Sequence, residues 1–490
     1  MADKIELNPT ARVAKNSLVQ LVGGVLNKIM AVLLVIYAAR QLGTHGFGVY
    51  SLVLAMLGIF YILTDFGLGT LATRDLARNP ESEQRYLSNI FIMRLFLSLL
   101  AGLGLVGAAA ALGHPPAVIG LTAIAALSLF FTSNVDTCTA VFNAHQRMEI
   151  PAVVSVIATM LRVGVSLGAL AAGAGLVTLL VIYTSAAAVQ FGLLLAIVGS
   201  RVRLRPALDW AFWRRLLGEA YPLALANLFS IIYFRIDTVM LASLSGEEAV
   251  GLYNAAYRLL EFTLMLPAYY TGAIFPVISA SQTANPQRFL LIYRRSLKYM
   301  LVASLPLALG TAALAPELIE VLYGPAYAAS ISVLPVLMWS FVLIAANSIN
   351  APYLISMGRQ RTVTGITLFS MLLNIALNAY AIPRHGILGA AWVTLLSEVV
   401  TLGLCVGVLS RPLTLKVRML RHLLRPALAG IFMYGCVRLV PRWDLGYQIL
   451  LGGLVYVGLL FLFRAFDEVD MEIFRRVLRP TWNSDTRLTG

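Results

Sequence analysis

The sequence predicts an all-α protein that crosses a membrane about fourteen times. Composition, the length of the apolar runs and the distribution of basic residues carry that expectation. Of its 490 residues, 59% are hydrophobic and 12% charged, and the mean hydropathy is +0.82. Soluble globular chains are about 45–50% apolar and roughly 25% charged. Half the usual charge cannot cover a water-soluble surface of this size, so a soluble enzyme, a nucleic-acid binder and a secreted disulfide scaffold are excluded.

Runs of about 20 apolar residues, the length that crosses a bilayer as a helix, recur along the whole chain. They fall near 17–39, 49–73, 86–112, 117–142, 152–172, 177–198, 218–243, 250–280, 299–320, 331–354, 363–383, 387–410, 426–440 and 447–464. The thirteenth is the shortest. The first is too long for a signal peptide and no small-residue cleavage site follows it, so it is expected to be retained as the first span. Cytoplasmic segments carry the excess of Lys and Arg. With the N-terminus inside, about 28 of the 37 basic residues fall in cytoplasmic segments. Only Arg40, Arg384 and Arg442 fall in opposite loops, and about six lie within spans. Both termini are therefore expected on the cytoplasmic side of a cytoplasmic membrane. Most of the +14 net charge is topogenic, and no nucleic-acid partner is implied. Basic amphipathic connectors at 206–217, 286–298 and 414–425 fit the headgroup plane.

Cys138, Cys405 and Cys436 sit in separate apolar runs, and His45, His114, His145, His385 and His422 are scattered. No disulfide framework, metal site or cofactor is expected.

The chain repeats itself at a spacing slightly above 200 residues. Gly48-Val49-Tyr50-Ser51 matches Gly251-Leu252-Tyr253-Asn254, His145-Gln146-Arg147 matches Arg359-Gln360-Arg361, and Val177-Thr178-Leu179-Leu180 matches Val393-Thr394-Leu395-Leu396. Six spans per copy imply parallel repeats about a pseudo-two-fold along the membrane normal, as in some secondary transporters. The expected division is an N-lobe at 1–205, a C-lobe at 206–410, and two further helices with a cytoplasmic tail at 411–490. A central cavity between the lobes would favour a carrier.

Charges within spans are costly, about 2.5–3.5 kcal/mol each at the centre on insertion scales, and they normally face a bundle interior or water. Helical spacing puts Gln20, Gly24 and Lys28 on one face of the first span, flanked by Asn16 and Asn27. It does the same for Ser155, Thr159, Arg162 and Ser166 in the fifth, and for Asn254, Tyr257, Arg258 and Glu261 in the eighth. Arg235 and Asp237, two residues apart, point away from each other, so each needs a partner from another helix. Asp65, Arg94, Asp136, Glu398 and Arg438 complete the set. Lys28, Arg94, Arg162, Arg235 and Arg258 are the candidates for holding an anion, a phosphate or pyrophosphate head above all. Asp65, Asp136, Asp237, Glu261 and Glu398 are the candidates for ion coupling or for salt bridges. Gln20, Asn27, Asn254 and Tyr257 are expected to line the cavity. The alternative is that these acids and bases simply pair as structural bridges, with Arg94 and Arg438 snorkelling.

Ala39-Arg40-Gln41-Leu42-Gly43, Gly46-Phe47-Gly48-Val49-Tyr50-Ser51, Asp65-Phe66-Gly67-Leu68-Gly69 and Arg74-Asp75-Leu76-Ala77 resemble the N-terminal signature of the prokaryotic polysaccharide-biosynthesis membrane proteins. These are oligosaccharide flippases of the multidrug/oligosaccharidyl-lipid/polysaccharide (MOP) exporter superfamily. Arg235-Ile236-Asp237-Thr238-Val239-Met240-Leu241 and Ala255-Ala256-Tyr257-Arg258-Leu259-Leu260-Glu261 look similar in the second lobe. The resemblance implies flipping of a polyprenyl-(pyro)phosphate-linked oligosaccharide to the outer leaflet by alternating access, with Lys28 and Arg258 in the places of the family's cavity cations. H+ or Na+ coupling through the acids, contact with a polysaccharide polymerase or glycosyltransferases, and a monomer are further expectations. A lipid II flippase would carry a basic residue in the second span, where Asp65 stands. A multidrug efflux antiporter would have twelve spans and fewer cavity cations. No catalytic constellation or large soluble loop suggests an enzyme.

Overall fold

A computed structural model describes residues 9–199, 208–413, 421–440 and 444–478. Residues 206–207 and 414–420 of the connectors expected at 206–217 and 414–425, and the outer parts of both tails, lie outside those residues. Among the described residues there is no strand. The helices are α1 (Pro9–Asp65), α2 (Leu68–Arg78), α3 (Glu83–Ala111), α4 (Pro116–Ala126), α5 (Ser128–Ala144), α6 (Glu149–Ala171), α7 (Leu176–Gly199), α8 (Trp210–Ser245), α9 (Glu247–Thr263), α10 (Met265–Ala284), α11 (Pro286–Ala313), α12 (Ala315–Tyr323), α13 (Ser330–Ser356), α14 (Gln360–Leu413), α15 (Arg421–Arg438), α16 (Leu445–Leu462) and α17 (Glu468–Leu478).

Among the described residues, eleven helical stretches are long and apolar enough to cross a bilayer. Two of them, Leu18–Arg78 and Gln360–Ser410, hold 61 and 51 residues. At 1.5 Å per residue either would be far longer than a hydrocarbon core is thick, so each must break. The breaks are at Gly43 (φ 67, ψ −179) and Gly386 (φ 54, ψ −134), where the sequence separates two spans. Gly43 adopts a backbone region open only to glycine. Gly246, 203 residues later, has nearly the same one (φ 86, ψ 170). The repeat seen in side chains is thus also present in backbone turns. A second interruption, at Phe66 (φ 48) and Gly67 (φ 76), separates α1 from α2. Asp65 holds it by accepting from the Gly67 and Gly69 N–H groups at 3.2 and 3.3 Å.

Polar caps set other starts. The Asp209 carboxylate accepts from the Phe212 N–H at 3.0 Å to open α8. Asn285 accepts from the Arg288 N–H at 2.9 Å to open α11, with Pro286 at the first position.

The described chain falls into two compact units. One comprises Met1–Phe262, Ile319–Val333 and Gln360–Thr401; the other comprises Thr263–Leu318, Leu334–Arg359 and Leu402–Gly490. In the first, α1 packs along α6 and α8, and α5 lies against α2 and α7. Its core includes Leu68, Leu87, Ile90, Phe142, Leu194 and Phe212. In the second, α11 packs on α15 and α16 through Leu309, Ala313, Met433 and Tyr456. Large apolar side chains face outward on both, among them Leu103 (64% exposed) and Leu454 (74%), as a lipid-facing surface requires. Lipid tails are as apolar as a leucine core, so cohesion must come from close packing and buried polar contacts rather than from a hydrophobic gain. This is a multi-pass membrane protein.

In the second unit α17 is tied down by charge. Asp470 accepts from Lys298 Nζ at 2.5 Å, Arg295 Nη1 at 2.6 Å and the Tyr299 hydroxyl at 2.6 Å. Burial alone would raise the Asp470 carboxyl, but hydrogen bonds from Lys298, Tyr299 and the Asp467 backbone outweigh it and hold the group below its ordinary value. A depressed carboxyl contributes stability that is complete above its unfolded value and disappears as pH falls through the folded one. The hydrogen-exchange protection of 468–478, taken relative to the intrinsic rate at each pH, is therefore expected to be high at neutral pH and to fall below about pH 4. Asp470→Asn should lower that protection and make it nearly pH-independent; protection as high as the parent's at neutral pH in that variant would refute the clamp.

Candidate functional site

The polar faces on α1, α6, α8 and α9 lie within the first unit. The α1 and α6 stripes meet where Asn27 Nδ2 donates to Ser155 Oγ at 2.9 Å. On α9, Glu261 binds two guanidiniums: Arg258 Nη1 at 2.6 Å, one turn earlier, and Arg235 Nη2 from α8 at 2.9 Å. Lys28 completes the group from α1. Together with Arg258, Glu261 and Tyr323, it lines a pocket of about 50 Å³. One water needs about 10–15 Å³ of such space, so the pocket in this conformation admits a few waters and is far smaller than a headgroup site. One carboxylate here faces three cations.

Arg162 approaches from α6, its guanidinium 5.5 Å from the centre of the Tyr183 ring. Its Nε is buried without a hydrogen-bond partner, as is that of Arg258. Tyr50 lies within electrostatic reach of both Arg162 and Arg258, and so links the two. Nearby, Tyr257 donates to the Phe234 carbonyl at 3.0 Å and Asn254 to Thr238 Oγ1 at 3.3 Å, so both brace α9 against α8. Gln20 is exposed near the start of α1.

The remaining candidates fall elsewhere. Arg94 is fully buried on α3 and pairs with Asp65 at 2.6 Å, the same carboxylate that caps the α1–α2 break. Asp136 on α5 accepts from the Tyr61 hydroxyl. Glu398 accepts from Tyr233 at 2.9 Å. Asp237 faces away from Arg235, as a two-residue offset demands. It accepts from Asn378 Nδ2 at 2.7 Å, Thr394 Oγ1 at 2.8 Å and the Tyr253 hydroxyl at 3.1 Å. All three donors are neutral, and Asn378 Oδ1 beside them is buried without a donor.

The sequence reading missed Tyr50, Tyr323, Asn374 and Asn378. Asn374 and Asn378 stand four residues apart in an apolar helix, the signal that exposed the other stripes. Tyr50 was visible only as a repeat residue, and nothing local marks Tyr323.

A crossing of α1 and α9 lies at one end of this group. A Cβ on Gly48 would stand 1.7 Å from the Glu247 carbonyl oxygen, and one on Gly251 would stand 1.9 Å from that of Thr44. These are the repeat-related glycines, and each is the surface on which the other helix rests. Arg40 Nε donates to the Leu322 carbonyl at 2.8 Å and Tyr327 to that of Ala39 at 2.8 Å, closing the chain around the crossing.

A helical membrane body with an excess of half-buried cations among its spans is the build of a secondary transporter, and the fold is that of the MOP exporters. The chain belongs to the polysaccharide biosynthesis protein family, whose model matches residues 13–282; a second model, MatE, matches 222–380. Two similar proteins come from Haloferax volcanii. "Probable low-salt glycan biosynthesis flippase Agl15" is 24% identical over 390 residues, covering 78% of this chain and 80% of that protein. "Probable flippase AglR" is 26% identical over 422 residues, covering 82% and 84%. Among solved structures, the lipid II flippase MurJ in an inward closed conformation superposes with a TM-score of 0.76 at 14% identity, covering 94% of this chain and all of that one.

Proposed function

We propose that this protein flips a polyprenyl-(pyro)phosphate-linked oligosaccharide from the cytoplasmic to the outer leaflet of the cytoplasmic membrane, by alternating access. One observation carries the reading. Lys28, Arg235 and Arg258 surround the single carboxylate of Glu261, which leaves an excess of positive charge among membrane spans. A phosphate brings two or more oxygens to such a group and can take over the guanidinium hydrogen bonds that Glu261 makes. With the pocket at about 50 Å³, entry of the headgroup requires the helices around it to part. Arg162 and Tyr50 extend the polar path, the lipid tail stays in the bilayer, and Arg94 is assigned to bracing the α1–α2 break. The glycan relatives support the cargo, and the basic loops support the orientation. The deciding experiment is reconstitution in vesicles with a defined fluorescent polyprenyl-diphosphate sugar. Protein-dependent movement between leaflets supports the reading, and a rate equal to that of empty vesicles overturns it.

Coupling is assigned to Asp237. A buried carboxylate served only by neutral oxygen and nitrogen groups is expensive as a bare anion, and a proton or a Na+ would complete it. Asp237→Asn is expected to keep residual flipping and lose its response to a H+ or Na+ gradient. An unaltered response in the same vesicles would remove Asp237 from the coupling step.

A further inference from the structure

Away from the membrane-embedded charges, the first unit holds a second basic cavity of about 700 Å³ between the α2–α3 connection and the start of α8. Its walls carry Arg74, Arg78, Arg85 and Arg215, with Asp75 and Glu219. Arg74 spans both acids, 2.7 Å from each. Arg85 pairs with Asp209, just outside the cavity. Arg78 and Arg215 are exposed, and neither has a carboxylate within 4.0 Å among the described residues; Arg215 lies 5.7 Å from the Phe212 ring and within longer electrostatic reach of Asp75.

The frame around them is rigid. Tyr86 donates to Asp75 at 2.7 Å and packs edge-on against Phe212 with ring centres 5.0 Å apart. Asn89 Oδ1 accepts from the Asp209 N–H at 3.0 Å, and Asp209 in turn caps α8. The arginine pair is therefore presented by fixed helix ends rather than by loose tails. Next to the cavity, Trp210 (70% exposed) and Leu208 (60%) face outward, an indole and an apolar side chain of the kind that seat at the headgroup level. Basic loops on this side place the cavity at the leaflet where anionic lipids collect.

We propose that this cavity binds the phosphodiester of an anionic phospholipid headgroup, held by the guanidiniums of Arg78 and Arg215 with Trp210 at the glycerol level. The volume suits a headgroup with its glycerol, since pockets for small ligands run about 300–1,000 Å³. Arginine forks match phosphate oxygens two at a time. A headgroup bound here would bridge the end of α2 to the first turns of α8 and hold them together. The site is separate from the Arg258 group and stands whether or not the cargo proposed above is correct.

The test is binding to the purified full-length chain in neutral detergent, by native mass spectrometry and by titration of Trp fluorescence. The probes are phosphatidylglycerol, phosphatidylcholine and inorganic phosphate. Saturable binding of phosphatidylglycerol is expected, weakened about tenfold or more in Arg78→Gln/Arg215→Gln, with phosphatidylcholine weak in both proteins. Arg258→Ala should bind phosphatidylglycerol like the parent, which separates this site from the transport group. Equal binding by the double variant overturns the site. Competition by inorganic phosphate at equal concentration makes the ligand a soluble phosphate and overturns the lipid assignment. Should the double variant fail to fold, Arg78→Lys decides the matter alone: a point charge without the fork should weaken binding several-fold, and parental affinity refutes the arginine geometry.

Discussion

Gly48→Ala is expected to abolish transport while leaving the protein in the membrane. The added methyl would stand 1.7 Å from the Glu247 carbonyl oxygen, where ordinary C–H···O contacts need about 3.3 Å. The obstacle is backbone, so no side chain can swing aside, and α1 and α9 must separate by roughly 1.5 Å. Overpacking of this kind costs about 1–3 kcal/mol or more, enough to depopulate the crossed state roughly five- to 150-fold. In the orientation proposed above, the crossing would lie toward the outer end, and we propose that it is the seal there. A cycle that requires that seal would stall with the outer end open. The readout is labelling of Ala39→Cys, a position fully buried here, by a membrane-impermeant maleimide in a Cys436→Ser background. Labelling should be slow in the parent and fast with Gly48→Ala, and Gly251→Ala should reproduce it. Slow labelling with normal flipping in both variants would show that the crossing is no gate.

Arg258→Ala is expected to reduce flipping by two orders of magnitude or more, with Lys28→Ala a lesser loss and Arg258→Lys an intermediate one. Truncating one member of a buried, hydrogen-bonded charge pair costs about 2–5 kcal/mol in recognition, which exceeds what the neighbouring Arg235 can restore. Removing Arg258 also leaves Glu261 with a single guanidinium and turns a net cationic pocket toward neutrality. Membrane abundance, measured in parallel, should be unchanged, because Arg235 still satisfies the carboxylate. Parental flipping in both Arg258→Ala and Lys28→Ala would end the anion-binding mechanism.

Much of this organisation can be read before any coordinates. Apolar run length marks the helices, and the interruption between the first two spans falls at Gly43 because no other residue accepts that backbone. Helical periodicity separates the faces of Arg235 and Asp237, and the structure places them with different partners, Glu261 and the Asn378–Thr394 pair. Periodicity says which residues share a face, but not which faces meet. Nothing in the α9 stripe tells whether Arg258 would turn toward Glu261 on its own helix or toward another acid, and Tyr323 reaches the pocket from a helix sixty residues further on. The Asp65–Arg94 pair illustrates the same limit: two charges in apolar runs look alike until one is seen to cap a helix break. Gly48 and Gly251 were visible as copies of each other, yet similarity between segments does not disclose that they touch.

The carboxylate between Arg235 and Arg258 has a bearing on the empty return stroke. A carrier that delivers an anionic cargo must reset with nothing bound, and unshielded guanidiniums resist passage through a low-dielectric constriction. In the proposed cycle Glu261 travels with the protein and stands in for the cargo's negative charge, so the unloaded guanidiniums need no counter-anion from solution, whichever cation Asp237 takes up. Glu261→Gln should then permit exchange of labelled for unlabelled lipid while slowing net delivery. Equal slowing of both would show the side chain to be mere scaffolding.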